Sequence, residues 1–286
     1  MNTLDPRLNA IRPDVADARL EGIIEVPRYV EGRRAFVRAP VADLKRKPSE
    51  TAGIDTQLIY GAPVLLFCEE DGWAWVQSEQ DSYVGYMAAD VLAEAQERPT
   101  HRVSVPRTFA YPGPDLKLPR HSVLSIGSTV AIVERVEARG TLYAITADGE
   151  ALVDRHLQPI GTVANDYVSV AELFLNTPYL WGGTSGFGID CSGLVQTAMA
   201  MAGEYVLRDT DLQEATVGDL IDPASGLQRG DLVFWKGHVA ILTDPDTIIH
   251  ANGHTMLVSH EPLLEAIDRI GYLYGQPTCF RRPFTQ

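Results

Sequence analysis

The stretch Thr177 to Gly203, TPYLWGGTSGFGIDCSGLVQTAMAMAG, carries one cysteine out of a glycine-rich approach and straight into an amphipathic helix. Pro178 cannot lie inside a helix, and glycines at 182, 183, 186 and 188 call for an irregular loop of close backbone approach. Asp190 suits a helix N-cap. Leu194, Val195, Ala198, Met199 and Ala202 then recur at helical spacing, and Gly203 is placed to end the helix. Cys191 therefore opens a helix whose other face is core. A thiol in that position sits among unpaired N–H groups at the positive end of the macrodipole, so a favoured thiolate and a lowered pKa are expected. Cys68 in LLFCEED and Cys279 in PTCFRRP follow no such loop and start no helix, and they read as small apolar residues.

A nucleophilic cysteine needs an imidazole to take its proton and often a third group to hold that imidazole's tautomer. Gln228 to Asp244, QRGDLVFWKGHVAILTD, reads as two apolar strands, Leu232 to Trp235 and Val239 to Thr243, with His238 at the start of the second. Thr247 to Asn252, TIIHAN, is a further short strand with His250 near its end. A single strand histidine is more often a hydrogen-bonded structural residue. Two of them downstream of a helix-borne cysteine point to chemistry. The histidines at 101, 121, 156, 254 and 260 lie in polar surroundings and read as solvated.

In YLWGGTSGFGIDCSGL, RGDLVFWKGHVAIL and IIHANG, in that order and spacing, the sequence resembles the NlpC-type cell-wall peptidases, papain-like cysteine hydrolases of bacteria. The resemblance runs from about Val163 to Arg282. It implies Cys191 as nucleophile, His238 as general base and His250 as the residue that orients His238. An oxyanion held by N–H groups at the helix start, with the Tyr179 hydroxyl, would complete the machinery. A zinc centre lacks its pattern, since there is no cysteine pair at finger spacing and no HExxH helix; neither metal nor cofactor is expected.

The chain has 286 residues, 45% of them hydrophobic and 22% charged, the balance of a folded protein long enough for two or three domains. A formal charge of −14, from 24 basic against 38 acidic side chains, argues against nucleic acid or another polyanion as partner. The N-terminus, MNTLDPRLNAIRPDVADARLEG, has no basic start followed by an apolar run, and no segment is long and apolar enough to span a membrane. Three cysteines without framework spacing agree with a reducing compartment. A cytoplasmic protein is expected, with no membrane partner; the oligomeric state is left open, with a monomer expected.

Upstream the pattern changes to short alternating strands between Gly, Pro and acidic turns. TQLIYGAPVLLFCEEDGWAWVQSEQDSYVGYMAADVLAE reads as strand, turn, strand, Asp-Gly turn, strand, polar turn and strand. A weaker copy follows in HSVLSIGSTVAIVERVEARGTLYAITADGEALVDRHLQPI, with Gly127 where the first has Gly61. The first resembles a bacterial SH3-like domain through GWAWV and YVGYM; the second follows it with a faded aromatic signature. The expected architecture is thus α+β: an N-terminal arm over 1–29, SH3-like barrels over 30–97 and 98–160, and a papain-like NlpC domain over 161–286.

Two barrels ahead of this domain resemble, within the family, the γ-D-glutamyl-L-diamino-acid endopeptidases of murein peptide recycling. The resemblance implies cleavage of short murein peptides, L-Ala-γ-D-Glu-diaminopimelate and its kin, that present a free alanine amine. A desolvated ammonium needs a carboxylate and further acceptors. The matching positions are Asp190 and Ser192 beside the nucleophile, and Glu50 and Tyr83 in the first barrel. Arg208 and Asp209 match the family's cleft-lining pair, with Tyr179 and Trp181 as walls, and Arg208 is expected to meet a substrate carboxylate bidentately. Each has a plainer reading: Asp190 as a cap, Arg208 with Asp209 as a surface charge pair, Tyr83 and Trp181 as core aromatics, Glu50 as a solvated turn residue. Two other functions stay open here, a secreted hydrolase anchored to intact peptidoglycan by its barrels and a non-catalytic peptide-binding module.

Overall fold

A computed structural model describes residues 4–94 and 97–283. The outer ends of the expected arm and NlpC ranges, and residues 95–96 within the first expected barrel, lie outside the described residues. The chain divides into two compact units, Met1–Ile160 and Gly161–Gln286.

The first unit is built almost wholly of strands. One antiparallel sheet has the spatial order Val84–Ala88, Trp73–Ser78, Pro63–Glu70, Arg33–Val37, Leu92–Ala93. The hairpin between its longest strands turns at Asp71-Gly72, both with positive φ, as a two-residue turn matched to strand twist requires. Alternating side chains from Ala35, Val37, Val64, Leu66, Ala74 and Val76 fill its core. Ala10 and Val15 of the N-terminal segment pack on Phe67 and Trp75.

A second five-stranded sheet runs Ser122–Ser125, Arg107–Tyr111, Ala151–Val153, Thr141–Thr146, Ile132–Ala138. Val103, Ala110, Leu124, Val130 and Leu152 form its separate core. Gly61 and Gly127, paired by the sequence copies, both take positive φ. Neither five-stranded ladder closes on itself among the described residues; the first is continued beyond Val84–Ala88 by a Lys45–Tyr86 bridge to the hairpin of Val41–Leu44 and Thr56–Ile59.

Among the described residues, the second unit sets a six-stranded antiparallel sheet against four helices. Its strands are β1 (Asp219–Ile221), β2 (Leu232–Trp235), β3 (His238–Asp244), β4 (Thr247–Asn252), β5 (Leu257–Pro262) and β6 (Cys279–Arg282), in the order β1-β6-β2-β3-β4-β5. The helices are α1 (Tyr167–Glu172), α2 (Cys191–Met201), α3 (Thr210–Thr216) and α4 (Leu263–Tyr274). The all-buried runs of β2 and most of β3 are what a sheet covered on both faces needs. Leu263, Ala266 and Ile270 of α4 pack on Val233, Ala240, Leu242 and Ile248. No helix among the described residues is long and apolar enough to cross a membrane.

Candidate active site

The glycine-rich approach folds into a loop with a two-stranded ribbon, Thr184–Ser185 against Gly188–Ile189, that delivers the chain to α2. Asp190 caps the helix: Oδ1 accepts from the Gly193 N–H at 2.7 Å and from the Ser192 hydroxyl at 3.3 Å. Its Oδ2 accepts from the Gly182 N–H at 2.9 Å and from Arg208 Nη2 at 2.7 Å. One carboxylate thus ties the loop, the helix start and the segment before α3 together. Gly193 is required by this closeness, because a Cβ there would collide with the Gly183 carbonyl oxygen.

Cys191 is the first residue of α2, and only 7% of its surface is exposed. Its sulfur accepts the Val239 N–H and lies 3.9 Å from the Thr210 hydroxyl. Burial, seconded by the Asp190 carboxylate, pushes the thiol up to about 11 against the opposing pull of Val239, Thr210 and Arg208. The lowered thiol expected from the helix terminus is therefore corrected: at rest, desolvation outweighs the dipole.

His238 opens β3, one residue before the amide that touches the sulfur. Its Nε2 lies 2.9 Å from Nδ1 of His250 in β4, the rings meeting edge to face. That leaves Nδ1 of His238 as its remaining ring nitrogen. Burial, then His250 and Arg269, hold His238 down at about 3, with Glu261 opposing. Burial also lowers His250. Both imidazoles are neutral at rest.

Behind His250 stands a carboxylate. Glu261 Oε2 of β5 lies 3.1 Å from His250 Nε2, off the axis of a linear hydrogen bond, and Arg269 of α4 donates Nε to Oε1 at 2.8 Å and Nη2 to Oε2 at 2.5 Å. Burial works against the charge on Glu261, but Arg269 and His250 outweigh it and hold the carboxyl at about 2.

The structure thus pairs His238 with His250 and sets the Val239 N–H, the residue after His238, on the Cys191 sulfur, with Asp190, Ser192 and Arg208 at the helix start. Tyr179 is half-buried nearby, its ionisation made harder by burial and then by Cys191 and Asp190. Trp181 projects from the loop, 68% exposed, so it is no core residue. Asp209, half-buried, precedes α3 and acts on Arg208 electrostatically. Arg208 departs from its expected role. It is 1% exposed, with Nη2 on Asp190 and Nη1 donating to Ser192 Oγ at 2.7 Å, so its guanidinium braces the helix start instead of being displayed to a substrate carboxylate. Glu50 and Tyr83 belong to the first unit, Glu50 exposed with its carbonyl accepting from Lys45 Nζ, Tyr83 buried in the core of the first sheet.

Sequence reasoning missed Thr210, the Val239 amide, Glu261 and Arg269. For Glu261 the available signal was an acid on the alternating strand LVSHEP, but its alignment with His250 needs the β4–β5 register. His101 and His156, expected to be solvated, are half-buried and hydrogen-bonded, His101 Nδ1 to the Thr100 hydroxyl and His156 Nδ1 to the Thr108 hydroxyl.

Residues 176–267 match the NlpC/P60 family, and residues 44–92 match the bacterial dipeptidyl-peptidase SH3 domain. The chain is 27% identical over 262 residues, 85% of its length and 94% of the relative's, to dipeptidyl-peptidase 6 of Lysinibacillus sphaericus. It is 28% identical over 221 residues, 69% of its length and 72% of the relative's, to the γ-D-glutamyl-L-lysine dipeptidyl-peptidase of Bacillus subtilis. Among solved structures, an NlpC/P60 family protein from Bacillus cereus has the same fold with a TM-score of 0.74 at 23% identity, covering 88% of this chain and 100% of that one.

Proposed function

We propose, from the premise that this chain is an NlpC/P60 cysteine peptidase carrying an SH3 domain ahead of its catalytic unit, that it hydrolyses the γ-D-glutamyl to diamino-acid amide bond of short murein peptides with a free N-terminal L-Ala. The observation that carries the reading is the contact of the Cys191 sulfur, at the start of α2, with the Val239 N–H of β3, one residue from a His238 that is itself paired with His250. The name of the Bacillus subtilis relative supports the substrate class, and the recycling role rests on the resemblance alone. We also read residues 98–160 as a second SH3-like module, within the arm, module and catalytic ranges given above, and the protein as a cytoplasmic monomer.

In this reading His238 Nδ1 takes the Cys191 proton as the sulfur attacks the γ-carbonyl carbon of D-glutamate. The C=O π pair moves onto oxygen. That oxyanion is met by the Cys191 N–H and the Tyr179 hydroxyl, since the Gly193 N–H is already held by Asp190. The imidazolium of His238 hands its proton to the departing amine, the C–N bond breaks, and a thioester remains. Water, deprotonated by the same imidazole, opens the thioester and returns the proton to sulfur.

Asp190 gives the surroundings of the alanine ammonium their negative field, with Ser192 as a further acceptor. Arg208 fixes the carboxylate and offsets part of its charge, and Asp209 adds a second negative charge that acts on Arg208. Trp181 supplies an exposed apolar wall for the peptide. For Glu50 and Tyr83 the substrate role rests on the resemblance alone. The test is to incubate the protein with L-Ala-γ-D-Glu-meso-diaminopimelate, with its L-Lys analogue and with the N-acetylated forms. Release of L-Ala-γ-D-Glu from the free-amine peptides alone is expected. Equal cleavage of the acetylated forms would overturn the amine requirement, and cleavage of none would overturn the substrate.

A further inference from the structure

The proton-transfer line does not end at His250. We propose that Glu261, clamped by Arg269, is a fourth positioning group that sets the tautomers of both imidazoles and so makes His238 Nδ1 the basic nitrogen. The proposal rests on the reading of Cys191, His238 and His250 as the reacting set.

Register places these groups on one face of the sheet. His238 shares the pleat parity of Leu242 on β3, Leu242 pairs with Ile248 on β4, Ile248 pairs with Glu261 on β5, and His250 shares the parity of Ile248. Glu261 is thus the diagonal cross-strand neighbour of His250, within reach of a long side chain. The chemistry then runs in one direction. An ionised carboxylate only accepts, and at 3.1 Å, although off the ring N–H axis, its charge favours hydrogen over a lone pair on the His250 nitrogen nearest it. Neutral His250 has one N–H, so its Nδ1 is bare. Across the 2.9 Å contact His238 Nε2 must then be the donor, which leaves His238 Nδ1 bare and able to take the thiol proton.

When that proton arrives, His238 carries both hydrogens and a positive charge. The carboxylate two contacts away stabilises it through His250 without receiving a proton, because Arg269 occupies both Glu261 oxygens and keeps the carboxyl a weak base. Arg269 also supplies a counter-charge that keeps the resting pair neutral. Ser259, directly opposite His250 in the β4–β5 ladder, is hydrogen-bonded by Asn252 Nδ2 at 3.0 Å and does not supply this anion.

Two readouts on the full-length chain separate this proposal from the functional reading. In ¹⁵N-histidine-labelled C191A protein, both His238 and His250 are expected as Nε2–H tautomers, and E261A is expected to give a mixture of tautomers at His250 and with it at His238. This holds whatever the substrate, so absence of turnover in the unaltered enzyme would sink the functional reading while leaving the tautomer test intact. With the cleaved tripeptide, E261Q is expected to lower kcat by about 10- to 100-fold with KM within about twofold, and E261D to recover part of the loss. R269M is expected to fall in the same direction, and E261Q/R269M to lose no more than E261Q alone. Unchanged tautomers in E261A, or E261Q with unaltered kcat and unaltered pH–rate profile, would overturn the proposal.

Discussion

At the residue scale, the state of one sulfur decides the chemistry. A helix N-terminus favours a thiolate, yet Cys191 is packed against β3 with Asp190 as its neighbour; its thiol stands near 11, and His238 is held near 3. Thiol and imidazole are therefore both neutral at rest, so the proposed reaction needs its ion pair to form as substrate arrives. Iodoacetamide alkylation of Cys191 in the free enzyme is accordingly expected to accelerate with rising pH through the range of about 5 to 8, tenfold per unit at the limit. A rate that is flat over that range would show a preformed thiolate–imidazolium pair. C191A and H238A are each expected to lower kcat by roughly 10³-fold or more, and the C191A/H238A double variant to lose little beyond either single one, measured on the free-amine tripeptide.

At the scale of elements, the junction of loop and α2 carries the site. The GGTSGFGID approach was legible as irregular backbone and α2 as a helix with a buried face, because glycine content, an Asp cap and 3.6-residue periodicity are local signals. The partner of the cap was not legible. Arg208 comes from a segment beyond the end of α2, and only packing shows that its guanidinium is held against Asp190 with almost no solvent. Removing it strands a buried carboxylate. R208M is expected to destabilise the C-terminal unit by about 3–5 kcal/mol in denaturant unfolding, and R208K to recover only part, since the two-armed contact to Asp190 and Ser192 is lost. A loss below about 1 kcal/mol would return Arg208 to its expected role as a substrate ligand. G193A is expected to cost about 1–3 kcal/mol and turnover together, because the helix start must back away from the Gly183 carbonyl. A G193A protein with wild-type melting and turnover would show that this approach is not needed.

At the scale of the molecule, the catalytic unit holds a pair of neutral histidines whose charge the fold opposes. The folded-state value of His238 lies well below the 6.5 of a free imidazole, so its contribution to stability is complete above about pH 6.5 and is lost as pH falls towards about 3. Glu261, held at about 2 against an ordinary 4.5, adds a loss in the same direction at lower pH. Thermal melts are expected to fall between about pH 6.5 and 4.5 on account of the histidines, and H238Q/H250Q is expected to flatten the curve in that window; an unchanged slope would contradict the neutral pair. The sequence by itself determined the β-rich first half, the helix that begins with Cys191, and the strands that bear His238 and His250, since alternation, turn residues and caps act over a few neighbouring positions. Only the tertiary structure decided how the strands of the first unit pair, that the thiol is desolvated, that Arg208 faces inward, and that Glu261 and Arg269 back the histidines. Those outcomes depend on which distant segments lie side by side, and burial, pairing and charge balance are properties of that proximity.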